Sequence, residues 1–248
     1  MFAGVNECIA RYIIRRTRKE KGLRQEDAAD KTISYGTISN IERGSKKVDE
    51  ETVRKYLRKL GLTETRVINL ARQEEEEIEF LMTQLDAIES MLNHNKAEKP
   101  IQLLKAIGIE RYHPLAPYYT YLEGRCFQLK RKWKKAEKHY KFAIRLRNQY
   151  NLPLKGNIAS KCYNELGICF FLQNHMEKAL SYIEKGLNAY NDKEDGEQII
   201  FALNSNKVFY LMNSGQYENA KQVLNELWSA IPEIENKNTA LTCIDTTH

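Results

Sequence analysis

The sequence has little proline and glycine, with five and twelve residues in 248. A β-sandwich or barrel needs a turn about every 8–12 residues, so this scarcity argues against an all-β fold. No apolar run approaches the ~18 residues that a membrane span requires. The first residues carry no basic segment leading into an apolar one, so we expect no secretory signal.

Cysteine is also sparse, with five residues that cannot all pair and that form no Cys-x-x-Cys motif. Neither a disulfide framework nor a zinc knuckle is indicated. Hydrophobic residues make up 42% of the chain and charged residues 29%, which suffices for a core and excludes wholesale disorder. We therefore expect a mostly helical, cytoplasmic protein of about two small domains.

The net charge of +6 is concentrated in residues 1–62, which hold 15 Lys+Arg and 9 Asp+Glu, whereas residues 63–248 hold 24 of each. Such asymmetry favours a polyanion-binding module joined to a neutral one. A second basic run, Arg125 to Arg147, has ten Lys+Arg and one acid, and such a run is most often a solvated helix face. The acidic run from Glu74 to Glu77 is expected to open a helix, since acids favour a first turn.

Four short helices are predicted in residues 1–62. Val5, Ile9, Tyr12 and Ile13 recur at helical spacing and mark the first. The second is expected at 25–30, the third at 35–42 after an N-capping Ser34, and the fourth after an N-capping Asp49. Four helices with a tight turn between the second and third are typical of a helix-turn-helix domain.

Two stretches in this region carry a family resemblance. Lys21-Gly22-Leu23-Arg24-Gln25 and Ile38-Ser39-Asn40-Ile41-Glu42-Arg43-Gly44 resemble the phage-repressor-like (XRE) helix-turn-helix family. The chain departs from the family pattern in having Ala28 where leucine is usual. The distance from Gln25 to Glu42 is also one residue shorter than the commonest spacing, and in this the chain resembles PlcR-type regulators.

The resemblance implies residue roles in binding double-stranded DNA. Tyr35, Gly36, Ser39 and Asn40 would face base edges, with Asn40 against adenine, Tyr35 against a thymine methyl and Gly36 allowing close approach. Phosphate contacts are expected from Gln25, Thr37, Arg43, Lys46 and Lys47. Arg18 and Glu42 are expected to pair inside the domain instead.

The remaining chain contains a degenerate repeat. Alanines recur at Ala97, Ala136, Ala179 and Ala220, at intervals of 39, 43 and 41, among aromatic and small residues. This pattern resembles the tetratricopeptide repeat (TPR), in which helix pairs need small residues where they touch. We expect residues 63–95 to form a linker helix that merges into the first, degenerate repeat, with one long helix from Arg66 to Leu92. A TPR α-solenoid of about four repeats, with a fifth incomplete, would occupy 96–248, so the predicted fold is all-α.

The first helix of each repeat would line a concave face. The candidates on it are Tyr121, Arg125, Gln128, Lys161, Asn164, Phe171, Asn204, Asn206 and Phe209. Asparagine is a poor helix former, and its amide suits the backbone of an extended peptide. Hydrogen bonding between neighbouring helices is the alternative explanation for these asparagines. Arg125 or Lys161 would suit a carboxylate on the ligand.

Taken together, the two halves resemble the Gram-positive peptide-pheromone receptors of the Rap, Rgg, NprR, PlcR and PrgX group. The resemblance implies a cytoplasmic transcriptional regulator that binds a short signalling oligopeptide. It also implies binding of a pseudo-palindromic operator as a homodimer. Phage arbitrium receptors share this architecture, so a phage role stays open.

Other functional classes have less support. The five histidines are scattered, and the sequence has no Gly-x-Ser-x-Gly motif and no phosphate loop, so we expect neither catalysis nor a cofactor. A TPR adaptor whose helix-turn-helix docks proteins, or a mobile-element repressor without a peptide ligand, remains the alternative.

Overall fold

The computed structural model describes residues 2–94, 97–150 and 156–230, and the regular structure within these ranges is α-helical. The helices are α1 Glu7–Glu20, α2 Gln25–Ala28, α3 Tyr35–Arg43, α4 Glu50–Lys59, α5 Glu64–Asn93, α6 Glu98–Ile107, α7 Ala116–Leu129, α8 Trp133–Tyr150, α9 Ile158–Phe171, α10 Met176–Ala189, α11 Gln198–Asn213 and α12 Tyr217–Ala230. None of the helices in these ranges has the length and apolarity needed to cross a bilayer. The all-α prediction is confirmed.

Contacts divide the chain into two compact units. The first comprises Met1–Ala87, Ile109–Ala116 and Arg145–Leu154, and the second comprises Ile88–Gly108, Pro117–Ile144 and Lys155–His248. The first unit therefore contains α1 to α4, and the second contains α9 to α12 entirely. The predicted incomplete fifth repeat falls after Ala230 and lies outside the described residues.

Side-chain caps set the helix starts in the first unit. Ser34 accepts a hydrogen bond from the Thr37 amide at 3.1 Å, and Asp49 accepts one from the Thr52 amide at 2.9 Å. Each satisfies a backbone donor that the helix itself leaves unpaired. Both predicted N-caps are confirmed. Gly44 ends α3 with φ of 69°, a left-handed conformation that glycine adopts without strain.

The second helix is shorter than predicted, because α2 ends at Ala28 and Ala29 is already extended. The cause is Asp30, whose carboxylate accepts hydrogen bonds from the amides of Thr32 and Ile33 at 2.7 and 2.9 Å. This local bonding competes with helix formation and makes a turn before α3. The third helix is one residue longer than predicted, ending at Arg43.

The prediction that the acidic run opens a helix is wrong. Helix α5 begins at Glu64, where Thr63 Oγ1 accepts from the Arg66 amide at 3.2 Å, so Glu74 to Glu77 lie within the helix. The long helix from Arg66 to Leu92 is confirmed. Glu74 is buried against the Arg16 guanidinium, so part of the acidic run serves packing within the first unit.

Three helix pairs in the second part of the chain share one register. Ala136, Ala179 and Ala220 are each the fourth residue of α8, α10 and α12, and all three are buried. Five residues before each alanine the backbone is left-handed, with φ of 55° at Arg131, 61° at Asn174 and 74° at Gly215. The same turn therefore joins α7 to α8, α9 to α10 and α11 to α12.

The earlier copy does not share this register, which corrects the expectation that Ala97 is its equivalent alanine. Ala97 is the residue before α6, outside the helix, and it is only half-buried. Ala97 matches the repeat only in residue type. In the three other pairs the equivalent alanine lies one turn inside a helix.

Two glycines let the paired helices approach closely. A Cβ built on Gly124 in α7 would lie 2.5 Å from Cε1 of Tyr140 in α8, and one on Gly167 in α9 would lie 2.9 Å from Cδ1 of Ile183 in α10. Tyr140 and Ile183 are fully buried, so neither can move aside without disturbing the core. In both pairs the glycine lies sixteen residues before the large side chain that it faces. These two pairs therefore share the position of this close contact as well as the turn.

We expect Gly124→Ala to destabilise the second unit by about 1–3 kcal/mol, because overpacking against Tyr140 exceeds the ~1 kcal/mol of helix propensity that alanine gains over glycine. Urea unfolding followed by tryptophan fluorescence measures this, since Trp133 and Trp228 both lie in that unit. The exposed Ser181→Ala in α10 is the control, with an expected change within ~0.5 kcal/mol. Greater stability in Gly124→Ala would contradict the close approach.

Candidate functional site

The helix-turn-helix unit is organised around one buried carboxylate, that of Glu42 in α3. Arg18 of α1 donates to it from Nε and Nη2 at 2.6 and 2.9 Å. Gln25 of α2 and Tyr56 of α4 each donate to it at 2.7 Å. All four helices therefore meet at Glu42, and the predicted pairing of Arg18 with Glu42 inside the domain is present.

The charge on Glu42 is stabilised despite burial. Burial alone would raise its pKa, but the hydrogen bonds from Arg18 and Tyr56 and the charge of Arg18 outweigh this and hold the pKa below the ordinary 4.5. Burial and the neighbouring Glu42 charge raise the pKa of Tyr56 far above 10, so its hydroxyl stays a donor. Arg15, also buried, donates to the Glu42 backbone carbonyl at the end of α3.

Helix α3 presents two contrasting faces. Ile38 and Ile41 are buried and fix the helix to the rest of the unit. The predicted base-facing residues are more accessible, because Tyr35 is 46% exposed, Gly36 is exposed and Ser39 and Asn40 are half-buried. Asn40 Oδ1 accepts from Ser45 Oγ at 2.8 Å, which orients the amide while its NH2 group has no partner among the described residues.

The predicted phosphate-binding residues fall into two groups. Lys46 and Lys47 are exposed just after α3, and Arg43 is half-buried in its last turn. Thr37 and Gln25 are engaged within the domain, Thr37 in the Ser34 cap at 2.9 Å and Gln25 with Glu42. The sequence motif marked Gln25 as a DNA contact but gave no sign of its hydrogen bond to Glu42.

A cavity of about 270 Å³ lies beside Gln25 and is lined mainly by basic side chains, of which the sequence predicted only Arg43 as a DNA contact. Its lining residues are Arg15, Arg18, Lys19, Arg24, Gln25, Glu26 and Arg43. Arg18 is committed to Glu42, and Arg24 pairs with Asp27 at 3.1 Å. Lys19 and Arg43 outweigh the single acid, Glu26, so the cavity is positively charged and suits a phosphate oxygen.

The candidate peptide-binding residues of α7 and α9 form a polar network in the second unit. Arg125 contacts Tyr121 Oη at 3.1 Å and a Glu165 oxygen at 3.5 Å, and Gln128 donates to the other Glu165 oxygen at 2.7 Å. Tyr140 donates in turn to Gln128. Arg125 thus already has a carboxylate partner, which a ligand carboxylate would have to displace.

Lys161 is also paired. It donates to Glu89 at 2.9 Å, and Tyr118 donates to the same carboxylate at 2.6 Å. Burial would raise the pKa of Glu89, but the charge of Lys161 and the hydrogen bonds from Tyr118 and Lys161 keep it below its ordinary value. The network is balanced in charge, whereas the sequence indicated only its cations.

The asparagines on α9 and α11 behave differently from one another. Asn206 donates to the Asn164 carbonyl oxygen at 2.8 Å, joining the two helices, and Asn204 donates to the Ile200 carbonyl of its own helix at 2.9 Å. The helix-to-helix bond is the alternative that the sequence left open. A ligand that uses Asn164 and Asn206 must therefore replace this bond.

Aromatic residues adjoin the asparagine pair along the two helices. Phe171 of α9 stacks on Tyr210 of α11, with ring centroids 4.6 Å apart, and it lies 5.2 Å from Phe209. Phe209 is 51% exposed, so it contributes little to the core of the unit. Phe171 and Phe209 form a partly accessible apolar surface.

The first part of the chain matches a known family. A family model described as helix-turn-helix matches residues 14–67, so this segment is a helix-turn-helix domain. The chain is similar to Bacillus thuringiensis PlcR in complex with the peptide PapR7 and DNA, at 15% identity over 93% of this chain and 81% of that chain, with a TM-score of 0.46.

It is also similar to the Streptococcus dysgalactiae SHP pheromone receptor Rgg2, at 13% identity over 96% of this chain and 97% of that chain, with a TM-score of 0.37. For PrgX in complex with cCF10 the identity is 13% over 97% of this chain and 100% of that chain, with a TM-score of 0.29. No curated protein matches the sequence.

We expect Glu42→Ala to destabilise the helix-turn-helix unit by about 3–5 kcal/mol, because Arg18 would be left buried without its carboxylate. Amide hydrogen exchange of α3 in the full chain measures this. Glu20→Ala is the control: it removes an exposed i,i+4 pair with Arg16, and we expect a change below about 1 kcal/mol.

The acid response provides a second check. Because the folded pKa of Glu42 lies below 4.5, its ionised form adds stability above that pH, and this stability is lost as the pH falls through the folded pKa. Glu42→Gln should remove this part of the acid dependence. Wild-type-like acid sensitivity of α3 exchange in Glu42→Gln would contradict the central role of this carboxylate.

Proposed function

We propose that this protein is a sequence-specific DNA-binding transcriptional regulator whose activity is controlled by a short oligopeptide bound to α7, α9 and α11. The DNA-binding part of this proposal rests on the two different sides of α3. Its apolar side is fixed by Ile38 and Ile41, and its other side presents Tyr35, Gly36 and Asn40. The helix-turn-helix match over residues 14–67 supports the same conclusion.

A recognition helix enters the major groove with its first turns toward the base edges. Asn40 would then offer its amide to an adenine, and Tyr35 would pack on a thymine methyl group. Gly36, with no side chain, would let the helix approach the bases. The net charge of +6 in residues 1–62 would attract the duplex, and Arg43, Lys46 and Lys47 would fix its phosphates.

One recognition helix reads only a few base pairs, which is too few to specify an operator. For this reason the proposed regulator binds as a homodimer. Two copies on half-sites about one helical turn apart would recognise a pseudo-palindromic operator. Operators selected from a random pool should therefore contain inverted repeats.

We expect Asn40→Ala to relax sequence preference at one base pair of each half-site, at a cost of about 1–3 kcal/mol. Lys46→Ala should weaken specific and random duplexes alike and lower the salt dependence of binding. Affinity titrations against the selected operator and a random duplex measure both. Identical behaviour of the two variants on both duplexes would show that α3 is not the recognition helix.

The peptide-binding part is supported by the chemistry of α9 and α11. An extended peptide brings unpaired backbone N–H and C=O groups, and each costs about 1–3 kcal/mol if buried without a partner. The Asn164–Asn206 pair offers both a donor and an acceptor once its mutual bond opens. The adjoining Phe171 and Phe209 would cover apolar peptide side chains, and Arg125 or Lys161 would take a carboxylate in place of Glu165 or Glu89.

We expect Asn206→Ala to weaken binding of an oligopeptide selected from a library about tenfold, equivalent to ~1.4 kcal/mol. Calorimetry measures the affinity, and thermal melting measures the accompanying change in stability. Asn213→Ala is the matched control, because Asn213 lies on the same helix and its amide bonds the Phe209 carbonyl of that helix at 2.8 Å. We expect the control to bind the peptide normally.

A different result would favour the alternative function. If Asn206→Ala lowers the melting temperature while peptide affinity is unchanged, the asparagine pair is structural. If no library peptide binds while the operator is still recognised, the chain is a DNA-binding repressor without a peptide ligand.

A further inference from the structure

The turn between α7 and α8 and the first turns of α8 carry a concentrated positive charge. We call it the basic turn surface, and it consists of Lys130, Arg131, Lys132, Lys134, Lys135 and Lys138, all of them exposed. Among the residues that the structure describes, no carboxylate forms an ion pair with any of the six. The one acid within this stretch, Glu137, is engaged with Lys141 at 2.5 Å. The charge is therefore uncompensated.

The other helix pairs show that the fold does not require these cations. Residues 173–181 and 214–222 occupy the same places in the register, and each contains one acid and one lysine, so each is neutral. At the second helical position α8 has Lys134, whereas α10 has Glu177 and α12 has Glu218. An acid is favoured there by the helix dipole, so Lys134 is the less stabilising choice for the helix itself.

The turn residue shows the same contrast. The left-handed position is Arg131 in the first pair, but Asn174 and Gly215 in the other two. Glycine adopts positive φ freely and asparagine is enriched there, whereas arginine is not. Positions 131 and 134 therefore both carry a basic residue. The equivalent positions of the other two pairs carry residues that suit the same backbone better.

The chemistry of the surface favours nucleic acid over a protein partner. Lysine is depleted at the centres of protein–protein interfaces, and these interfaces depend on large apolar anchors. The exposed large hydrophobic residues of the described chain all lie outside Arg125 to Arg147. Closely spaced lysines without anchors match a row of phosphates, which binds mainly by counterion release.

We propose that the basic turn surface binds the phosphate backbone of duplex DNA without reading its sequence. This is a second DNA-binding surface, on the second unit of the chain, and it does not depend on the proposed role of α3. It would add affinity and salt dependence but no base preference.

The test replaces two cations with residues that the equivalent pairs already carry, in the full chain: Arg131→Asn with Lys134→Glu. Binding to a random-sequence duplex is measured over a range of salt concentrations. The slope of log affinity against log salt should fall by about 2, roughly one for each cation removed. The melting temperature should stay the same or rise, since both replacements suit the backbone.

A charge-matched control, Lys193→Asn with Lys221→Glu, changes the net charge equally at exposed positions elsewhere in the second unit. We expect its salt slope to equal that of the wild type. An unchanged slope in Arg131→Asn/Lys134→Glu, or an equal fall in the control, would overturn the proposal. The basic turn surface would then be a solvated helix face.

The same variants separate this proposal from the proposed function. On the selected operator, Arg131→Asn/Lys134→Glu should keep the wild-type preference over random DNA, since preference would come from α3. Loss of that preference together with normal random-DNA binding would overturn the sequence-independent role of the surface. Failure of the wild-type chain to select any operator would count against α3 and not against this surface.

Discussion

The helix-turn-helix unit depends on the buried carboxylate of Glu42. One side chain on α3 accepts hydrogen bonds from α1, α2 and α4, and its own backbone carbonyl accepts one from Arg15. A buried charge is costly unless it is fully paired, so Arg18, Gln25 and Tyr56 must come together around this carboxylate for the unit to fold stably. The arrangement fixes the direction of α3 and, with it, which side of α3 is accessible.

The second unit uses a different constraint, a repeated backbone geometry. The left-handed turn residue and the buried alanine keep the same spacing in three successive pairs, and the glycine facing a large side chain keeps it in the first two. Because the fold is repeated, differences between the pairs are informative. Residues that depart from the shared pattern, such as Arg131 and Lys134, are not explained by the turn or the helix and require a role of their own.

Much of this architecture could be predicted from local sequence. Ser34, Asp49 and Gly44 have helix-terminal roles that depend on their own chemistry, and the resemblance to the XRE family implied the pairing of Arg18 with Glu42. The acidic run was misleading because Glu74 is held by Arg16, 58 residues earlier in the chain, and no local rule reveals such a contact. The end of α2 was missed because the Asp30 turn outweighs helix propensity.

The polar candidates in the second unit were harder to predict for the same reason. The sequence identified Arg125, Lys161, Asn164 and Asn206 by residue type, but their partners lie on other helices. Glu165 and Glu89 neutralise the two cations, and the two asparagines bond each other. Single-sequence patterns show which side chains can bond but not which of them the fold has already paired.

Hydrogen exchange of the full chain with and without the selected operator is the most direct test of whether the accessible side of α3 meets DNA. If it does, residues 34–47 will gain the strongest protection within residues 1–62 when the duplex is added. Protection elsewhere in the chain with unchanged exchange at 34–47 would contradict it.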